Sequence, residues 1–155
     1  MIFRGDDFGL SLEVNEAIEQ AHTNRVLSTT SPMAGAQAAT DAAARARRLP
    51  RLRAGVHVVV ARGQAVLPNH EIPALTDADS RFPGNLVGRG IEYFFPQHPP
   101  SVRVEIYAQC EAFRKTGLTL GRVNAHNHIA FAFYRVGLDS EYRFGVRFTR
   151  HARTL

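Results

Sequence analysis

The chain has 155 residues, enough for one domain with a buried core, and 45% of them are hydrophobic, which argues against a disordered segment. A single cysteine, Cys110, excludes an internal disulfide and fits a reducing compartment. The net charge is +5, no apolar run approaches the ~18 residues of a membrane span, and charge begins at Arg4, so a cytoplasmic protein without a secretory leader is expected.

In chain order, residues 2 to 5 read as a short first strand. Ser11 is placed to cap a helix, with Glu13 and Glu16 near its positive end and Val14, Ala17, Ile18 and Ala21 at helical spacing. Residues 26 to 31 (VLSTTS) read as a second strand, and the alanine- and arginine-rich residues 37 to 49 as a second helix stopped by Pro50. Residues 53 to 60 (RAGVHVVV) form a third, nearly unbroken apolar strand that carries His57. Residues 61 to 100 are rich in Pro, Gly and polar side chains, too long for an ordinary connection, and are expected to form a lid or insertion. Residues 102 to 115 predict a third helix with Val102, Ile106, Gln109 and Phe113 on one face, ended at Gly117. Residues 122 to 124 predict a fourth strand, a weak helix follows near 134 to 143, and a further strand near 146 to 149. Strand and helix alternate, which argues a parallel α/β sheet in one domain, with functional residues at the carboxyl ends of the strands.

The polar residues fall where that rule would put them. Asp6 and Asp7 are expected just past strand one, His57 within or near the end of strand three, and His126 and His128 just past strand four. One carboxylate and two imidazoles suit a divalent metal with open positions, and a spare neighbouring carboxylate can act as general base. Each residue also has a plainer reading: adjacent acids in a solvated loop or at a helix start, a core histidine in strand three, a histidine pair on a surface loop. What argues for a site is that all three places lie at strand ends. His22, His70, His98 and His151 lack such a context and are expected on the surface. The arginines cluster at 45–53 and 143–153 without aromatic residues interleaved on a reading face, so nucleic acid is a minor alternative as partner.

Several stretches together, GDDFGLSLEVNEAI, VLSTTSPMAGAQAATDAAARARRLPRLRAGVHVVVARGQAVLP and GRVNAHNH, resemble the YdjC-like carbohydrate deacetylases. EIPALTDADSRFP and QCEAFRKTGLTLGRVNAH are similar to the hopanoid-biosynthesis-associated branch, and the resemblance runs over residues 2 to 129. It implies a variant (β/α) barrel and hydrolysis of an N-acetyl group on an amino sugar with one divalent metal ion, zinc or magnesium. By motif position it implies Asp7, His57 and His126 as metal ligands, Asp6 as general base, and His128 as an acid or a substrate contact. The branch implies a glucosamine-bearing polycyclic lipid as substrate, met at the inner face of a membrane.

The chain departs from that pattern in places. Ala130 stands where the family's histidine motif has a third histidine and Phe133 where it has a proline, while Ala152 and Thr154 replace a usual proline and acid. Relative to the family the chain reads as shortened at its carboxyl end, and an incomplete barrel would leave an open sheet edge that a homodimer could cover. Three functions are consistent with this: a shortened active deacetylase, an inactive relative that still binds metal or sugar, and a basic-surface nucleic-acid-binding module.

Overall fold

The computed structural model describes residues 3–85 and 99–126. Its elements are β1 (Arg4–Phe8), α1 (Leu12–Thr23), β2 (Thr29–Pro32), α2 (Ala39–Arg48), β3 (Arg53–Ala54), β4 (Val56–Val58), a 3-10 turn (Asn69–Glu71), α3 (Pro99–Lys115) and β5 (Val123–Ala125). All strand pairs in the two sheets are parallel, in the orders β1-β2-β3 and β4-β5. The predicted parallel α/β order is therefore present, but the described strands do not close into a barrel. The helix expected near 134 to 143 and the strand near 146 to 149 lie outside the described residues.

β3 and β4 belong to one run of chain divided at Gly55. The Gly55 N–H donates to the Thr30 carbonyl at 3.0 Å, and the next N–H, that of Val56, donates to the Arg122 carbonyl at 2.9 Å. The chain thus changes partner from β2 to β5 within one residue. Glycine permits this, because a Cβ at position 55 would lie 2.7 Å from the Arg122 carbonyl oxygen and 2.5 Å from its Cγ. One sequence expectation, a single strand over 53 to 60, gives way to this exchange.

Other boundaries move for local reasons. The Ser11 hydroxyl accepts from the Val14 N–H, so α1 starts at the expected cap. At its far end the N–H groups of Val26 and Leu27 both donate to the Ala21 carbonyl, and Arg25 takes a left-handed φ of 63°. That turn delays β2 to Thr29 and leaves Val26 exposed. In α2 the methyl groups of Ala42, Ala43 and Ala46 are buried, so the helix lies close on its neighbours. Arg45 pairs with Asp41 within α2 at 2.7 Å and joins the helix to α1 by pairing with Glu19.

The larger core joins Val56, Val58 and Val60 with Ile106, Phe113 and Val123, and a smaller one under α1 and α2 joins Phe8, Ile18, Ala42 and Leu52. Val102, Ile106, Gln109 and Phe113 are all buried, as the helical spacing predicts. Of the stretch expected as a lid, residues 61 to 85 are described, and Ala61, Ala65, Ile72, Leu75 and Phe82 sit in the larger core. α3 holds this stretch through Glu105, whose carboxylate accepts from the N–H groups of Val66 and Leu67 at 2.8 and 3.0 Å. None of the described helices is long and apolar enough to cross a membrane.

Candidate metal centre

Three elements deliver the site. The first is β1. Asp6 and Asp7 lie inside this strand, not past its end as the sequence suggested, because the pairing with β2 slips between Gly5 and Phe8. Asp7 sits at φ 62°, a left-handed conformation that costs a side-chain-bearing residue on the order of 1 kcal/mol. The kink lets two adjacent acids serve one region instead of opposite faces of the sheet. It is braced from behind by the fully buried Asn15, whose Oδ1 accepts from the Gly9 N–H at 2.6 Å. The Asn15 amide donates to the Ala38 carbonyl at 3.0 Å and to Asp41 Oδ2 at 2.8 Å.

β4 supplies His57 and β5 leads to His126. His57 pairs in register with Asn124, so these side chains stand beside one another on adjacent strands. His126 follows two residues after Asn124, the strand period that returns a side chain to the same face. The result is a convergence of three lone-pair donors. Nε2 of His57 lies 3.1 Å from Asp7 Oδ1 and 3.3 Å from Nδ1 of His126, and that Nδ1 lies 2.9 Å from Asp7 Oδ1. The two rings meet edge to face at 79°. One ligand atom from each of Asp7, His57 and His126 falls within 4.8 Å of the others.

The chemistry of this donor set fits a divalent cation. Three acceptor atoms this close repel unless a proton or a cation lies between them, and one carboxylate with two imidazoles is a common first set for a metal that keeps open positions. His57 is 4% exposed, and burial lowers its pKa despite the Asn124 hydrogen bond and the nearby acids, so its ring stays neutral and able to ligate at neutral pH. Asp6 stands beside the cluster without joining it. Its carboxylate pairs with Arg4 at 2.7 and 2.9 Å and accepts from the Asn124 amide at 3.2 Å. Partial burial works to raise its pKa, but Arg4, His57 and Asn124 together hold it below the usual carboxylate range.

Of the residues singled out from the sequence, the structure brings Asp7, His57 and His126 together and places Asp6 next to them, while His128 lies outside the described residues. His22 contacts the Leu27 carbonyl at 2.8 Å, and His70 is exposed in the 3-10 turn; His98 and His151 lie outside the described residues. Sequence reasoning missed Asn124 and Asn15. Asn124 had a usable signal in the alternation Asn124-x-His126 on a strand. Asn15 had none, because a buried asparagine on a helix looks the same in sequence as an exposed one.

Several known proteins have similar sequences. A carbohydrate deacetylase of Brevibacillus brevis is 31% identical over 152 residues, covering 96% of this chain and 58% of its own length. One from Geobacillus stearothermophilus is 32% identical over 157 residues, with 98% and 60% covered, and one from Vibrio cholerae is 34% identical over 128 residues, with 83% and 48% covered. The chain thus spans about half to three-fifths of the length of these curated relatives. A crystal structure from Enterococcus faecalis V583, described as a candidate cellobiose-phosphate cleavage protein, superposes with a TM-score of 0.81 over 99% of this chain and 59% of that one. At 23% identity it speaks to the fold alone. The family model of YdjC-like proteins matches residues 1–155, and the chain belongs to that family.

Proposed function

We propose that the chain acts in a metal-dependent carbohydrate deacetylase with a (β/α)-barrel plan, hydrolysing the N-acetyl group of an amino-sugar conjugate. The observation that carries the reading is the convergence of Asp7, His57 and His126 within 4.8 Å, in a chain whose relatives are named carbohydrate deacetylases. These three residues would hold one divalent ion, zinc or magnesium. Such an ion would polarise the acetamide carbonyl and acidify a water molecule.

Asp6 is the proton acceptor in this reading. Arg4 and Asn124 keep its carboxylate ionised and fix its orientation, so the base form is present at neutral pH. A carboxylate of low basicity is a sufficient acceptor when the water it faces is itself acidified. The departing amine needs a proton, and His128, two residues beyond the ligand His126, is assigned to supply it or to contact the sugar. Within the substrate class, the segments EIPALTDADSRFP and QCEAFRKTGLTLGRVNAH favour an N-acetylglucosaminyl hopanoid presented at the inner face of a membrane.

The nucleic-acid alternative has less support. Arg45 is engaged by Asp41 and Glu19, and Arg47 donates to the Thr116 carbonyl, so part of the arginine cluster serves to hold α2 in place.

Elemental analysis of the purified protein beside His126→Ala, followed by acetate release from N-acetylglucosamine conjugates, tests the proposal. One metal per chain, lost in the variant, with acetate release that Asp6→Asn lowers by about 10²–10⁴-fold at unchanged metal content, is the expected result. A folded protein that binds metal only weakly and releases no acetate would instead be the inactive relative.

A further inference from the structure

We propose that Asn124 is a positioning residue that sets the tautomer of His57 and the orientation of Asp6 through a single side-chain amide. The inference rests on the metal-site reading of Asp7, His57 and His126, and it concerns a residue outside that set.

A chain of hydrogen bonds, its direction fixed at one end, runs from Arg4 to His57. Arg4 can only donate, and it holds the Asp6 carboxylate at 2.7 and 2.9 Å. An ionised carboxylate can only accept, so the Asn124 atom 3.2 Å from Asp6 Oδ1 has to be the amide nitrogen. That turns the amide oxygen of Asn124 toward Nδ1 of His57, 3.1 Å away. An amide oxygen can only accept, so Nδ1 of His57 carries the proton and Nε2 is left with its lone pair aimed at Asp7 Oδ1 and His126 Nδ1. The polarity set by one guanidinium is thus passed along four side chains to the nitrogen that faces the metal position.

The backbone prepares this relay. His57 and Asn124 are register partners on parallel strands, which places the ring and the amide side by side before any side chain rotates. Asn124 lies in β5 and His126 directly follows its end, so one short stretch of chain carries both a ligand and the residue that orients the other imidazole. Groups that orient ligating histidines commonly change metal affinity by about 10–100-fold when removed. Asn124 differs from a simple orienting acceptor because its other end holds the proposed base. One amide therefore adjusts the metal face and the proton-accepting face together.

The test uses the full chain and three variants, Asn124→Ala, Asn124→Asp and His57→Ala, each first checked for folding by circular dichroism. Long-range ¹H–¹⁵N spectra of the histidine side chains report the His57 tautomer in metal-free protein, and zinc titration reports affinity. The wild type is expected to show His57 protonated at Nδ1. Asn124→Ala is expected to mix the tautomers and weaken zinc about 10–100-fold, and His57→Ala to abolish binding. Asn124→Asp keeps an acceptor for Nδ1–H but sets a second carboxylate 3.2 Å from Asp6, so it is expected to retain the His57 tautomer while acetate release falls and stability drops from the like-charge contact. Unchanged tautomer and zinc affinity in Asn124→Ala overturn the inference and leave the metal reading standing. Absence of zinc binding in the wild type, with a tautomer that still shifts in Asn124→Ala, overturns the metal reading and retains the role of Asn124 in fixing the ring.

Discussion

Gln109 and Val59 hold each other by two hydrogen bonds. The Val59 N–H donates to Oε1 of Gln109 at 2.9 Å, and Nε2 of Gln109 donates to the Val59 carbonyl at 2.6 Å. Val59 follows directly on β4, two residues after His57, and it is no longer part of a strand ladder. A side chain from α3 thus replaces the missing strand partner and fixes the chain as it leaves the site. All of these atoms are buried, so Gln109→Leu leaves a backbone donor and a backbone acceptor unpaired in the core. The expected loss is on the order of 3 kcal/mol in urea unfolding; a loss under about 1 kcal/mol would mean that the backbone finds other partners.

The same helix turn carries Glu105, fully buried and accepting from the N–H groups of Val66 and Leu67 and from Gln109 Nε2. No cation is among these partners. Burial raises its pKa, against the hydrogen bonds that lower it, and Glu71 adds a small like-charge push upward. The sign follows from linkage: the folded carboxyl binds its proton more tightly than the unfolded chain does. Its contribution to stability is complete below the unfolded carboxyl pKa and is lost as pH rises through the elevated folded value. Asp6 and Asp41, whose pKa values are lowered, give the opposite slope at more acidic pH, so the quantity to read is the difference between wild type and Glu105→Gln. That difference should fall as pH rises above the ordinary carboxyl range and then level off. A flat difference from acid to neutral pH would contradict it.

Gly55 is the point where the chain leaves β2 for β5, and the close approach there brings His57 within 3.3 Å of His126. Gly55→Ala forces a methyl against the Arg122 carbonyl, a backbone atom that cannot turn away. Overpacking of this kind costs about 1–3 kcal/mol, and the two strands should separate by enough to weaken zinc binding as well. Gly84→Ala is the control, since a Cβ there meets nothing within 4 Å and should change stability by less than about 0.5 kcal/mol. Thermal unfolding with and without zinc separates the two effects.

How much of this was legible in the sequence depends on the range of the interaction. Helical spacing gave the buried face of α3, and Ser11 gave the start of α1, because both signals are complete within a few residues. Strand–helix alternation led to the expectation that the acids and histidines would gather at strand ends of a parallel sheet; Asp7, His57 and His126 do lie together, but Asp7 and His57 sit within β1 and β4 rather than past their ends. The kink at Asp7 was not visible, because nothing local to an Asp-Asp pair calls for a left-handed φ; the conformation is imposed by Asn15 and the Ala38 carbonyl from elsewhere in the chain. Nor was the partner exchange at Gly55, which depends on the approach of Arg122, 67 residues later in the sequence. Residues whose role is to hold a functional group in place from another element leave little trace in a pattern of types and spacings.

Asn15 offers the sharpest test of that point. Its Oδ1 fixes the Gly9 N–H two residues after Asp7, and its amide reaches both the Ala38 carbonyl and Asp41 Oδ2. Asn15→Ala removes all three bonds at a fully buried position and should cost about 2–4 kcal/mol. It should also weaken zinc binding, since the strained Asp7 conformation loses its brace. Asn15→Asp separates charge from shape. The aspartate can still accept from Gly9, but it faces the Asp41 carboxylate at the 2.8 Å now spanned by a hydrogen bond, so the single variant should be strongly destabilised. Adding Asp41→Asn gives the acid a donor again, although it loses the pair with Arg45. A double-mutant cycle should therefore show a coupling of about 1–3 kcal/mol in favour of the exchanged pair, with zinc affinity recovering alongside stability. Additive costs would mean that the two side chains do not sense each other and that Asp7 is braced by some other contact.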